Sequence, residues 1–394
     1  MTKYEKSFIE KVLRYRYSIV AIIITILAVL VRFWGRNCLT GDMKFCILPW
    51  YDSFKANGLS GLEHQVGDYN LLYQSVLALM AKMSYNPMYM VKIFSSFFDF
   101  VLACLFVCIV KRLFDIKDKN ILLIAYASVL MLPTIILNSA YWGQVDAMYT
   151  VFVLAALALL YERKYLLAFI FLGIALGCKL QAVFILPFIA MLYLNRKDFS
   201  LGYGIYAIMS FWALGLLAFI NGRSLSAPID IYLYQIDEYP KMVFNFPIFW
   251  NLFQNDYLYF GKIAIITTVT IIIFGIVSLY SRKDFEKKFF VFAAWIVWTA
   301  VLFLPKMHER YGFLLDILLL LLCFQEKKTI KYAIVTICIS LFTYGIYFGG
   351  LNGFSWHKYP DVKILMTLAG TIYFVAYYHF SRYLVFNTNN GAGS

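Results

Sequence analysis

The sequence predicts an all-α polytopic membrane protein, and three observations carry that prediction. Of its 394 residues, 62% are hydrophobic and only 14% charged. Apolar runs recur along the whole chain, and basic residues collect in the short segments between them. Soluble domains have about 45–50% apolar and about 25% charged residues, so a soluble enzyme, a nucleic-acid-binding domain and a disordered chain are excluded. The formal net charge of +13 reads first as orientation, because cationic loops stay on the cytoplasmic side of a membrane. No nucleic-acid partner is expected.

A crossing takes roughly 17–25 apolar residues. Lys3, Lys6, Lys11, Arg14 and Arg16 precede the first run, Ser18 to about Val31, and no small-residue cleavage site follows it. That pattern predicts a retained signal anchor rather than a signal peptide. Further runs lie near 88–111, 121–138, 147–161, 165–178, 181–194, 199–220, 263–280, 289–304, 313–324, 332–349 and 362–385. Together they predict about twelve transmembrane helices in one domain, 1–394, with both termini cytoplasmic. The clusters KRLFDIKDK, ERK, NRK, RKDFEKK and QEKK fall at alternate turns. Residues 165–194 are either one long helix or a hairpin turning near Gly177-Cys178-Lys179, and loop charge favours the hairpin. Each arm of about 14 residues would rise only about 21 Å. The turn would then lie below the outer surface, where irregular backbone must be buried in protein or line a wet cavity.

The largest outer segment, 36–86, is polar, aromatic and glycine-rich. Leu72, Val76, Leu79 or Met80, and Met83 recur at helical spacing within it, which predicts a helix lying in the interface plane. The segment is expected to be a folded lid. A second large outer loop, 222–257, brings aromatic and amide groups that suit either a sugar pocket or an ordinary interfacial loop. Cys38 and Cys46 share the first loop and either pair or remain thiols. No repeat of 20–50 residues is visible, and the final Gly-Ala-Gly-Ser resembles a cloning remnant.

Ionisable and polar groups at span ends are the candidate chemistry, since such groups are costly near a bilayer. Asp42, in Thr40-Gly41-Asp42, is either a helix cap or turn residue or a carboxylate facing a cavity under the lid. Tyr141-Trp142-Gly143-Gln144-Val145-Asp146 is either an aromatic-belt corner or a second carboxylate with an amide. Lys179, with Gln181 after it, lies too deep for easy snorkelling and needs an anion, either a neighbouring Asp or a phosphate. Lys306-Met307-His308-Glu309-Arg310-Tyr311 suits phosphate oxygens or a set of interfacial ion pairs. Asp99 and Asp316, inside spans, read as structural partners for Lys or Tyr.

Taken in order, these motifs resemble the GT-C glycosyltransferases. Gly41-Asp42, Trp50 eight positions later and Asp68-Tyr69 are similar to that family's first outer loop. Trp142 to Asp146, Gly177 to Gln181 and Met307 to Tyr311 are similar to signatures of its bacterial members, distant relatives of dolichol-phosphate-dependent glucosyl- and mannosyltransferases. The resemblance covers about residues 16–325 and departs at Asn70-Leu71-Leu72, where many relatives have prolines. It implies a GT-C fold and an inverting transfer of a monosaccharide from a polyprenyl-phosphate donor to a cell-envelope glycan or lipid-linked acceptor. The reaction would occur on the outer face of a bacterial cytoplasmic membrane. The Lys/Ile/Asn-rich composition points to undecaprenyl rather than dolichyl phosphate.

By the same resemblance Asp42 is the general base. Trp50, Asp52, Asp68, Tyr69, Trp142, Gln144, Asp146, Gln181 and Glu309 would line the substrate, while Lys179, His308 and Arg310 would hold the donor phosphate. No cofactor is required, and a divalent cation is left open. The alternatives are a lipid-linked-sugar flippase or transporter and an O-antigen-type polymerase or ligase. Missing internal symmetry disfavours the transporter, and a single arginine, Arg223, between 222 and 257 disfavours the polymerase.

Overall fold

A computed structural model describes residues 1–237, 241–253, 256–350 and 360–387. Parts of the second outer loop and the C-terminal Gly-Ala-Gly-Ser lie outside these residues. The described chain is almost wholly helical, as its apolar runs predict. It opens with α1 (Lys3–Gly35), which begins well before the first apolar run because Thr2 and Glu5 form a capping box. The first outer segment folds as α2 (Leu48–Asn57) and α3 (Leu71–Met80). On α3 the predicted stripe runs from half-buried Leu72 and Val76 to exposed Leu79, and Leu71, Gln74, Ser75 and Ala78 pack inward.

The bundle continues with α4 (Pro87–Arg112), α5 (Lys119–Leu130) and α6 (Pro133–Ile136). Pro133 forces Leu132 into extended backbone, and the helix pair bends by 42° there. Next come α7 (Asp146–Tyr161), α8 (Tyr165–Cys178), α9 (Leu186–Arg196), α10 (Gly204–Ala213) and α11 (Leu216–Ile220). The run predicted as one span at 199–220 is thus broken at Leu214-Gly215. Helix α12 (Ala227–Asp237) lies in the second outer loop, followed by α13 (Tyr257–Ser278), α14 (Phe289–Phe303), α15 (Phe313–Gln325), α16 (Ile330–Phe348) and α17 (Pro360–Phe380).

Among the described residues, five helices are long and apolar enough to cross a membrane: α1, α4, α13, α16 and α17; the bent α5–α6 pair is a sixth. The remaining apolar helices are shorter, and α14 is buried along its whole length. The chain is a helical membrane protein at this level.

Residues 165–194 form a hairpin. Arg196, at the end of α9, bonds back to the carbonyl of Leu160, and Asp198 takes the Tyr165 hydroxyl at 2.6 Å. The basic turns gather at one end of the bundle: Arg112 meets Glu162 at 2.9 Å, Arg196 meets Glu286 at 2.5 Å, and Arg282 reaches the carbonyl of Asn387 at 3.2 Å. The 36–86 segment and the motif-bearing turns occupy the other end. There, two short parallel strands, β1 (Val243–Phe244) and β2 (Met307–His308), tie the second outer loop to the turn after α14.

Buried Asp99 takes Arg32 Nε at 2.9 Å and the Ser139 hydroxyl at 2.5 Å, so its partner is an arginine rather than the expected Lys or Tyr. Asp316 lies on α15 against Thr336 and Ser340 of α16. No disulfide joins Cys38 and Cys46.

Candidate functional site

The site is built from the end of α1. Lys92 of α4 donates through Nζ to the carbonyls of Gly35 (2.8 Å), Arg36 (3.3 Å) and Cys38 (2.6 Å). Gly35 ends α1 and its carbonyl also accepts the Cys38 amide at 3.0 Å, so gathering these carbonyls on one ammonium fixes the turn that presents Asp42. The Asp42 side chain makes no capping hydrogen bond. Instead its Oδ2 accepts Trp142 Nε1 at 2.9 Å and Gln144 Nε2 at 2.7 Å. Its Oδ1 accepts the Tyr347 hydroxyl at 3.1 Å, and that hydroxyl accepts the Asp42 amide at 3.1 Å. Tyr347 is held flat against Trp142, ring centroids 3.8 Å apart and planes 19° apart.

Gly143 brings Trp142 and Gln144 to one oxygen. Its φ of +81° favours glycine, and Met43 fills the space that a Cβ would need. Gln144 also accepts the Tyr69 hydroxyl at 2.5 Å, giving a chain Tyr69→Gln144→Asp42. Burial pushes the Tyr69 phenol well above its ordinary range, so it stays protonated and donating at pH 10 and beyond. Tyr69→Phe is therefore expected to lower stability by about 1 kcal/mol, the value of one such hydrogen bond, read as a lower melting temperature at pH 7 and at pH 10 alike. A loss that vanishes at pH 10 would mean that Tyr69 titrates.

A buried ionic group lies behind this chain. The backbone turns extended at Lys179, φ −161° and ψ 141°, and its ammonium pairs with Asp146 Oδ1 while lying 5.4 Å from the Tyr69 ring centroid. Asp146 Oδ2 takes Asn138 Nδ2 at 2.6 Å. Arg310 stands between the two carboxylates, NH1 at 3.8 Å from Asp42 and Nε at 3.8 Å from Asp146. Both distances exceed hydrogen-bond length, and the buried Nε has no hydrogen-bond partner among the described residues. Side-chain exposure rises from 1% at Asp146 and 5% at Lys179, through 15% at Arg310, to 31% at Asp42. The group opens outward at Asp42. A search against protein-family models finds no match, and neither does a search of curated proteins.

The expected site residues divide accordingly. Asp42, Tyr69, Trp142, Gln144, Asp146, Lys179 and Arg310 come together. Asp146 and Trp142, expected against substrate, are sealed: Asp146 is committed to Lys179 and Asn138, and Trp142 acts on Asp42 through its indole N–H. Lys179, expected on phosphate, has taken the neighbouring Asp instead. His308 stacks on Phe244, centroids 4.7 Å apart, with its Nδ1 3.7 Å from Glu309; Glu309 is buried in that pairing rather than open to substrate. Gln181 is buried beside Tyr311.

Asp52 is exposed on α2, and no ion pair of it exists among the described residues. The Asp68 carbonyl anchors Gln235 of the second outer loop. Trp50 meets the Tyr69 ring edge-on at 5.8 Å and packs over Gly67, φ +73°. Gly67→Ala would strain that backbone and push the indole off Tyr69. A loss of about 1–3 kcal/mol is expected, read as a lower melting temperature; an unchanged melt would show that Trp50 moves aside freely.

Among the described residues no group of three or more His, Cys, Asp and Glu is placed to hold a metal. Three contributors escaped the sequence reading. Lys92 and Asn138 are polar groups inside apolar runs, which is a usable signal. Tyr347 is one of 31 tyrosines with nothing to mark it.

Proposed function

We propose that the chain is a membrane-embedded inverting glycosyltransferase of the GT-C type. It crosses the bilayer about twelve times, uses an undecaprenyl-phosphate monosaccharide and works at the outer end of its bundle. The observation that supports this reading is the pairing of a partly open, oriented carboxylate with a guanidinium that has an unpartnered buried donor, Asp42 with Arg310. The acceptor hydroxyl loses its proton to Asp42 Oδ1 while its oxygen bonds to the anomeric carbon. The bond from that carbon to the phosphate oxygen breaks, and the phosphate leaves with the electron pair from the opposite face, inverting the centre. A polyprenyl phosphate is a good leaving group without protonation, so one base suffices, whereas glycoside hydrolases use two carboxylates.

Arg310 is the cation placed to meet the growing phosphate charge. Lys179 and Asp146 hold Arg310 and Tyr69 in position from behind. Twelve crossings are supported by the closed hairpin and by the basic clusters gathered at one end, which the positive-inside rule makes cytoplasmic. The test is release of polyprenyl phosphate with sugar transfer by the purified protein, offered a panel of polyprenyl-phosphate hexoses and a mixed envelope-glycan fraction. Transfer from one donor is expected. Donor binding with no turnover, together with movement of labelled lipid-linked sugar across vesicles, would replace this reading with a flippase.

A further inference from the structure

At the end of the bundle remote from Asp42, α16 and the C-terminal turn after α17 border an open cavity of about 590 Å³. Lys327, Lys328 and Lys331 line it, with Tyr332, Tyr383 and the exposed Ile330 and Ile334. The cavity sits beside the basic turns: Gln325 donates to the Lys287 carbonyl at 3.1 Å, and Arg282 donates to that of Val385 at 3.2 Å. These lysines are poorly neutralised. Lys328 has a 3.9 Å contact with Glu326, itself exposed enough to be weak, and no carboxylate pairs with Lys327 or Lys331 among the described residues. Lys331 stands four residues from Lys327 and three from Lys328, spacings at which like charges on a helix repel.

We infer that this cavity binds the phosphate-bearing headgroup of an anionic phospholipid. Three cations around one concavity complement a phosphodiester in charge. Ile330, Ile334 and Cys338, exposed at four-residue spacing along α16, continue from it as an apolar strip on which acyl chains lie. A pocket of cations opening onto an apolar helix face suits a lipid better than a free anion, which would leave that strip unused. Losing three lysines beside such a surface weakens binding about a hundredfold.

The full-length protein, reconstituted in phosphatidylcholine discs with graded phosphatidylglycerol, tests this by native mass spectrometry of retained lipid. Lys327→Gln/Lys328→Gln/Lys331→Gln is compared with Lys3→Gln/Lys6→Gln/Lys11→Gln, which removes equal charge from the N-terminal segment. All six positions are exposed, where substitutions rarely affect folding. Selective loss of phosphatidylglycerol from the first variant is expected. Equal retention by both variants overturns the inference, as does displacement of the lipid by millimolar inorganic phosphate, which would make the ligand a soluble anion. The readout needs no sugar transfer, so it stands or falls apart from the proposed reaction.

Discussion

Asp42→Asn is expected to lower sugar transfer by about 10²–10⁴-fold, the range for loss of a general base, while leaving donor binding in place. The substitution keeps the side chain's shape. The remaining oxygen still accepts from Trp142 and Gln144, the two donors that now converge on Oδ2. Arg310 keeps its 3.8 Å approach to Asp146, so the guanidinium still faces a carboxylate when the charge at the more open Asp42 is lost. What disappears is the acceptor for a proton at Oδ1. Turnover should therefore fall at saturating donor, with KM nearly constant, as for an interaction made only in the transition state. Equal turnover in wild type and Asn variant would reduce Asp42 to a hub of hydrogen bonds and sink the proposed base.

Asp146→Ala should instead be the most damaging change to stability, about 3–5 kcal/mol, seen as a large drop in melting temperature or loss of accumulated protein. It removes the carboxylate that pairs with Lys179 and lies 3.8 Å from Arg310, leaving two cations facing each other in a nearly sealed space. The double change Asp146→Asn/Lys179→Gln deletes one charge of each sign, keeps hydrogen-bonding groups at both positions, and should recover most of the loss. That recovery distinguishes a positioning pair from two independent substrate ligands, whose effects would add. An Asp146→Ala protein that melts like the wild type would show that the buried ionic group contributes nothing to holding the site.

The two predictions separate roles that the sequence presented alike. Asp42 and Asp146 both sit at turns near glycine and aromatics, and each reads either as a cap or corner residue or as chemistry. Their different fates depend on burial and on partners from remote segments. Tyr347 lies 305 residues from Asp42, and Lys179 lies 33 residues from Asp146 across a helix hairpin. Charge alone left the Lys179 anion as either carboxylate or phosphate. Asp146 lies at the N-terminus of the adjacent helix α7, and that packing decides between them. His308 and Arg310, two residues apart and expected to act together, diverge because His308 belongs to a two-residue strand stacked on Phe244, while Arg310 turns inward.

The sequence by itself determined the class of molecule. Transfer of apolar side chains out of water is nearly additive along a chain, so composition and run length report membrane helices without reference to contacts. It also placed most helix bounds within a few residues, the 165–194 hairpin through its loop charge, and the turns where polar groups gather. Only the tertiary structure decided which of those groups face one another, which are sealed and which stay open. Those outcomes are set by ångström-scale distances and local dielectric between segments far apart in sequence, and neither quantity is written in the order of residues.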